Sequence, residues 1–397
     1  MLLKGSGHLS KKETLAVQLV RDRMEFSDDR YAGQNEVLRT LNRYFYSLSP
    51  LRRSSENDIP TESEASEPDL FVPLFFTLVQ QAVPTWIFQL FATQPYVRVF
   101  GRTREDHDRA HMIEKLTTYN FDQAEVMMEA IDVALSLVKY GTAVWKAGWR
   151  YDQYKLKETW KRDEDAGIDD DGRIFGDLLK PSFSTDKRIV RYDGPTLDWV
   201  SLFRFRMDPL YHRMRDMRYV TETTYTDLAT LKWEDEQHYK LTGEHLYKNL
   251  DKVPKSADLS RDIWEDDGDE EVAEALGWNK GAKPRNQYVG KRPSGGRGRG
   301  AETKDNEQYN RVIRIDEYWA TDHEVSGDRL IKVANFETPI MDGPNPWEDK
   351  DLPYGLVRFF KIEGQAMGMG ALHPNRTIQE EVNSHRNLLM RNLQRRS

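Results

Sequence analysis

The sequence predicts an α+β protein in which helices pack on small antiparallel sheets and a long helix closes the C-terminal end. Helical periodicity and strand-like alternation occupy separate stretches of the chain. Turn and stop residues separate those stretches, notably Gly141, Asp208-Pro209 and Gly368-Met-Gly370. The 397 residues are 38% hydrophobic and include 18 Tyr, 16 Phe and 10 Trp, which is enough for a sizeable core.

Taken in order, Lys11 to about Leu48 reads as a helix, with Leu15, Leu19, Met24, Val37, Leu38, Leu41 and Phe45 supplying apolar spacing. A polar loop follows from Arg53 to Pro68. Leu70 to Val97 contains no charged residue, and length alone permits a membrane span. Pro73, Pro84, Pro95 and four glutamines interrupt it, and Glu64, Glu67 and Asp69 precede it where a basic anchor would stand. A buried or interface helix is therefore expected, running into a short strand at Tyr96 to Gly101. Arg104 to Tyr140 reads as two helices. One stripe is Ala110, Ile113, Leu116 and Phe121; the next is Val126, Ala130, Val133, Ala134 and Leu137. Gly141 stops the second helix, and Thr142 to Trp149 restarts as a strand.

Lys161 to Ser184 is acidic and contains glycine, as expected of a hairpin tip or flexible loop; the chain returns at Arg188 to Tyr192. Trp199, Leu202, Phe203 and Phe205 read as buried positions of a strand closed by Asp208-Pro209. Tyr219 to Tyr225 is a second strand, and Thr226 to Leu231 a capped helix start. Residues 256–302 are acidic in the first half and basic and glycine-rich in the second, a composition that predicts a mobile insertion. Val312 to Trp319 and Leu330 to Ala334 form an expected strand pair. Gly368 and Gly370 permit a tight turn before a helix that runs through Arg396, with Thr377 and Glu380 as a capping box. No stop signal follows that helix, so a chain truncated inside an element is expected. These readings divide the sequence at 1–68, 69–255, 256–302 and 303–397.

Composition narrows the function. Zero cysteine excludes disulfides and thiol catalysis. Met1 to His8 holds no apolar run of signal-peptide length. A net charge of −8 argues against gripping nucleic acid over the whole surface, but not against a sleeve through which duplex slides.

The motifs point the same way. His107 and His111 have the i,i+4 spacing of helical zinc ligands but no Glu after the first, so a surface pair is expected. Gly277 to Lys283 lacks the spacing and the Lys-Ser/Thr ending of a phosphate loop, which rules out a nucleotide-driven motor. Ser294 to Gly300 is an Arg-Gly run of the kind that binds single strands, but with no aromatic residue among its glycines a linker is favoured. The acidic clusters at Asp163–Asp171 and Asp262–Glu274 lack the order of an EF-hand loop. No nucleophile elbow is present. The expectation is a protein without catalytic residues, cofactor or metal.

Four blocks, in this order, carry a resemblance: Val72 to Pro84 leading into Gln94 to Val99; Tyr140 to Trp149; Gly194-Pro195 through Asp208-Pro209 to Tyr225; and Leu352 to Tyr354 through Gly368-Met-Gly370 to Gln379–Asn383 and Arg386. Together they resemble the portal proteins, or head-to-tail connectors, of tailed bacteriophages, most closely the short-tailed type. The resemblance implies a wing-type body, without the stem, clip and tunnel loop, in a closed ring of about twelve copies at one capsid vertex. It implies a virion component assembled in the bacterial cytoplasm. Its partners would be terminase, capsid and scaffolding proteins, a tail adaptor and double-stranded DNA bound without sequence preference, and no membrane. Arg386, Arg391, Arg395 and Arg396 are the candidate DNA-facing residues, and Trp145, Trp149, Trp199, Trp233 and Trp319 the candidate core or interface anchors. A peripheral membrane protein using residues 70–97 is the alternative.

Overall fold

The computed structural model describes residues 9–48, 70–103, 106–155, 159–162, 167–168, 174–175, 179–182, 188–253, 312–322 and 327–396. Among them the helices are α1 (Lys11–Phe45), α2 (Leu74–Phe91), α3 (Asp106–Gln123), α4 (Val126–Tyr140), α5 (Leu228–Thr242) and α6 (Arg376–Gln394). The strands are β1 (Thr142–Lys155), β2 (Thr159–Arg162), β3 (Gly167–Ile168), β4 (Ile174–Phe175), β5 (Leu179–Ser182), β6 (Arg188–Val200), β7 (Phe205–Met207), β8 (Tyr219–Asp227), β9 (Val312–Asp322), β10 (Gly327–Ala334), β11 (Thr338–Pro344) and β12 (Tyr354–Arg358). The protein is mixed helix and small antiparallel sheet with a C-terminal helix, as the patterning predicts. The insertion at 256–302, its glycine-rich and acidic motifs, the loop at 53–68 and the acidic residues of the Asp163–Asp171 cluster lie outside the described residues.

Contacts divide the chain into two units, one of Met1–Ala92, Ala130–Trp145 and Trp199–Ser397, the other of Thr93–Glu129 and Lys146–Asp198. The first is built on the antiparallel sheet β11-β10-β9-β8-β7. Helix α1, about 52 Å long at 1.5 Å per residue, starts on a capping box between Ser10 and Glu13. Its Ala16, Val20 and Met24 cover one sheet face, formed by Tyr219, Tyr318, Ala320, Ile331 and Val333. Leu15, an expected core position, is 66% exposed; the buried stripe is displaced by one residue to Ala16. On the other face, Val220, Trp319 and Leu330 join Leu202, Phe205, Met207 and Tyr354. Ile313, Ile315 and Ile340 extend that face to Leu231 of α5, whose N-cap Asp227 accepts from the Thr230 amide.

Register places Glu222 directly opposite Glu317 across β8 and β9. Two buried carboxylates side by side destabilise a sheet unless each is satisfied. Here the Tyr354 hydroxyl donates to Glu222 at 2.7 Å, while Glu317 accepts from Trp319 Nε1 at 2.7 Å and pairs with Lys332 Nζ at 2.9 Å. Burial, then the charge of Glu222, holds the Tyr354 hydroxyl far above its ordinary value and therefore protonated as the donor.

The second unit holds α3 and the long ribbon of β1 with β6, where Trp149 Nε1 donates to Asp193 at 2.9 Å. Beyond the ribbon, β2 pairs with β5 and β3 with β4, so the expected hairpin is present.

Three local expectations are corrected. Tyr96 to Gly101 is not a strand: among the described residues no strand pairs with it, and Tyr96 instead stacks on Phe121 and donates to Asp122. The strand expected through Trp199 to Phe205 breaks at Val200, because residues 202–204 form a turn closed by the Arg204 amide on the Ser201 carbonyl. Thr377 does not cap the last helix, which begins at Arg376. Asn375 is the N-cap residue; its side chain donates to the Ala371 carbonyl rather than capping the helix, and Glu380 is engaged by Arg376 and Tyr44.

Candidate functional site

The feature on which the four sequence blocks meet is a junction in the first unit. It begins at Gly141, which ends α4 with φ +83°. A Cβ there would lie 2.1 Å from Gly370 N and from the Met369 carbonyl carbon, so two main chains cross where no side chain fits. The crossing is stitched by the amide of Phe359 on the Gly141 carbonyl (2.9 Å), the amide of Ala371 on the Val138 carbonyl (3.1 Å), and Gly368 N donating to Thr142 Oγ1 (2.8 Å). Phe360 and Met369 exchange both backbone bonds beside it. The glycines of the second and fourth blocks thus serve one another across more than 200 residues of sequence.

The first block joins through α6. Gln379, fully buried, donates to the Val72 carbonyl at 2.6 Å. Asn383 and Asn387 accept from the Val72 and Leu70 amides at 3.0 and 2.8 Å. Spaced i, i+4, i+8, the three amides share one helix face and cap the free main chain just before α2. Tyr44 of α1 donates to Glu380 at 2.8 Å; burial, then this bond, raises its hydroxyl to about 12. Arg376, then Tyr44, holds the Glu380 carboxyl below its usual range. The third block contributes Leu202 and Phe205, which pack with Tyr354 of the fourth; the ring centroids of Phe205 and Tyr354 lie 5.1 Å apart.

Inside the junction, Lys139 is buried in the last turn of α4. Its ammonium bonds Asn42 Oδ1 at 2.7 Å and lies 4.4, 4.8 and 5.2 Å from the ring centroids of Phe45, Tyr140 and Tyr46. The Tyr140 hydroxyl donates to the same Asn42 oxygen at 2.9 Å. Burial pushes the amine down to about 7. Aromatic faces, one amide oxygen and the negative end of the α4 dipole are what offset its desolvation.

The proposed anchors separate by environment. Trp319 is buried, Trp145 and Trp199 are half-buried, and Trp149 and Trp233 are 63% and 55% exposed. Arg386 is exposed and Arg391 half-buried on α6, and Arg395 and Arg396 are exposed in the turn that follows it. His111 sits 3.6 Å from Glu114, and among the described residues no group of His, Asp and Glu is arranged to hold a metal ion. A cavity of about 650 Å³ between Met214–Arg218 and Asp349–Leu352 is lined by charges of both signs, including the Lys350–Asp328 pair at 3.1 Å. Sequence reasoning missed Lys139; a lone Lys before a helix-stop glycine is indistinguishable from a solvated C-terminal cation.

Comparison with known protein families and with curated proteins returns no match to this chain.

Proposed function

We propose that this chain is a portal subunit of a tailed bacteriophage. It is a wedge in a closed ring at one capsid vertex, through which double-stranded DNA is packaged and ejected and to which terminase, capsid, scaffolding and tail components dock. It is a conduit without catalysis of its own, and its body is of the wing type. The observation that carries the reading is the convergence of the four blocks behind the resemblance, spread from Val72 to Arg386, on one packed junction.

Exposed apolar surface supports the same reading. Phe88, Phe100, Met112 and Met128 are 73%, 83%, 73% and 63% exposed, a load that a solitary subunit carries at a cost and a ring subunit covers. Negative-stain imaging of the purified chain tests the proposal: annular particles are expected, and monomers persisting at high concentration overturn it.

One observation favours peripheral membrane association instead. Helix α2 is long and apolar enough to cross a bilayer, and its Phe88 and Leu90 are exposed. Flotation of the chain with lipid vesicles, lost on Phe88→Asp with Leu90→Asp, would establish that alternative.

A further inference from the structure

The five-stranded sheet carries a polar layer on the face that α1 covers. Tyr219, Thr221 and Thr223 of β8 alternate onto that face, as do Arg314, Asp316 and Tyr318 of β9. Asp28 of α1 reaches the layer, where Arg206 Nε donates to its two carboxylate oxygens at 2.8 and 2.9 Å. Arg206 also donates to Thr223 Oγ1 at 3.0 Å. Asp316 engages the layer through one oxygen: Oδ1 accepts from Thr223 Oγ1 at 2.8 Å and from Arg314 Nε at 3.0 Å.

Two atoms are left over. Asp316 Oδ2 and Thr221 Oγ1 have no hydrogen-bond partner in the protein, and both residues are 0% exposed. A buried carboxylate oxygen or hydroxyl left unserved is costly, and native structures avoid it. The two residues are diagonal neighbours, because Thr221 stands opposite Tyr318 and Thr223 opposite Asp316. Diagonal positions in an antiparallel pair lie about 7–8 Å apart at the backbone, a span that two inward-reaching polar side chains and one water between them fill.

Charge and chemistry narrow the occupant. Arg206 pairs with Asp28 and Arg314 with Asp316, so the two pairs cancel and a cation would meet no net negative charge. A proton on Asp316 Oδ2 would find no acceptor, since Thr221 Oγ1 is not bonded to it. The occupant has to donate to a carboxylate oxygen and accept from a hydroxyl. It also has to be small. Val333 beside Asp316 and Tyr318 beside Thr221 belong to the apolar face under Ala16, Val20 and Met24, which closes the pair off from bulk solvent.

We propose that a single internal water is bound between Asp316 and Thr221 beneath α1, accepting from the Thr221 hydroxyl and donating to Asp316 Oδ2. The site is complete within one copy and does not depend on ring assembly. It makes the contact between α1 and the sheet wet at its polar layer and dry at Ala16, Val20 and Met24.

Structures of the full chain at a resolution that shows ordered water, for the wild type, Thr221→Ser and Thr221→Val, test the site. A water bonded to both side chains is expected in the wild type and in the serine variant, and is expected to be lost with valine. Urea unfolding of the wild type and the valine variant is the independent readout. Valine matches threonine in shape and suits a strand. Were Thr221 Oγ1 unserved, valine would remove a buried polar atom and stabilise the protein. With the water in place, valine deprives Asp316 Oδ2 of its bridge, and the unfolding constant should rise about tenfold, equivalent to ~1.4 kcal/mol. A valine variant as stable as the wild type or more so overturns the proposal. So does a wild-type structure in which Asp316 Oδ2 bonds Thr221 directly, meets no water, or holds a cation.

Discussion

Lys139 offers the sharpest quantitative test of the junction. Its amine falls from 10.5 to about 7 through burial, which at ~1.4 kcal/mol per tenfold is roughly 5 kcal/mol against the charged form in the folded protein. The sign follows from proton counts. Between pH 7 and 10.5 the unfolded chain keeps a proton that the folded chain releases, so stability rises with pH across that window. Below pH 7 both states are protonated and the full penalty is present; above 10.5 both are neutral and it is gone. Lys139→Met keeps the aliphatic stem among Phe45, Tyr46 and Tyr140 and removes the penalty. After about 1–1.5 kcal/mol is subtracted for the lost bond to Asn42, the variant should exceed the wild type by about 3.5–4 kcal/mol at pH 6. By pH 10 that advantage should vanish. Urea unfolding of both proteins at pH 6, 7, 8.5 and 10 measures the difference, and groups that titrate alike in both cancel. A variant less stable than the wild type at pH 6, or a difference that is flat with pH, would refute the argument that burial sets the state of this amine.

Gly141→Ala forces a side chain into the crossing main chain at a φ that disfavours it, and should cost at least about 3 kcal/mol in chemical unfolding. Gly243→Ala has a similar φ of +80° with nothing within 4 Å and should cost only about 1 kcal/mol, which separates overlap from conformational strain. Gln379→Leu leaves the Val72 carbonyl without its 2.6 Å donor and should lose about 1–3 kcal/mol, with faster amide exchange at Val72 as the local readout. Tyr354→Phe strips Glu222 of its buried donor. A loss of about 1–3 kcal/mol in chemical unfolding is expected.

The parts of this protein legible in the sequence are those fixed by neighbours along the chain. The break between α3 and α4, the stop at Gly141, the β9–β10 pairing and the cap at Asp227 are set by spacings of a few residues. Where the reading failed, the deciding partner was remote or absent. Tyr96 to Gly101 alternates like a strand, but alternation does not supply a neighbour to pair with. Ile113 and Leu116 have core spacing yet are half-exposed or more, because periodicity marks an apolar face without saying what covers it. Of the candidate site, the glycines and the terminal arginines were visible as residues, but their roles were not.

Local order in this chain was written by short-range rules: periodicity, caps, and glycine where φ turns positive. What tertiary structure alone decided is which of those signals meet. Gly141 needs Gly370 because their main chains cross, Lys139 gives up its proton far more readily than a free lysine because burial strips its ammonium of water, and α6 turns its amides inward because the Leu70 and Val72 amides need acceptors there. The physical reason is that burial and hydrogen-bond satisfaction depend on contacts made across hundreds of residues, whereas propensity is spent within a turn or two of the chain.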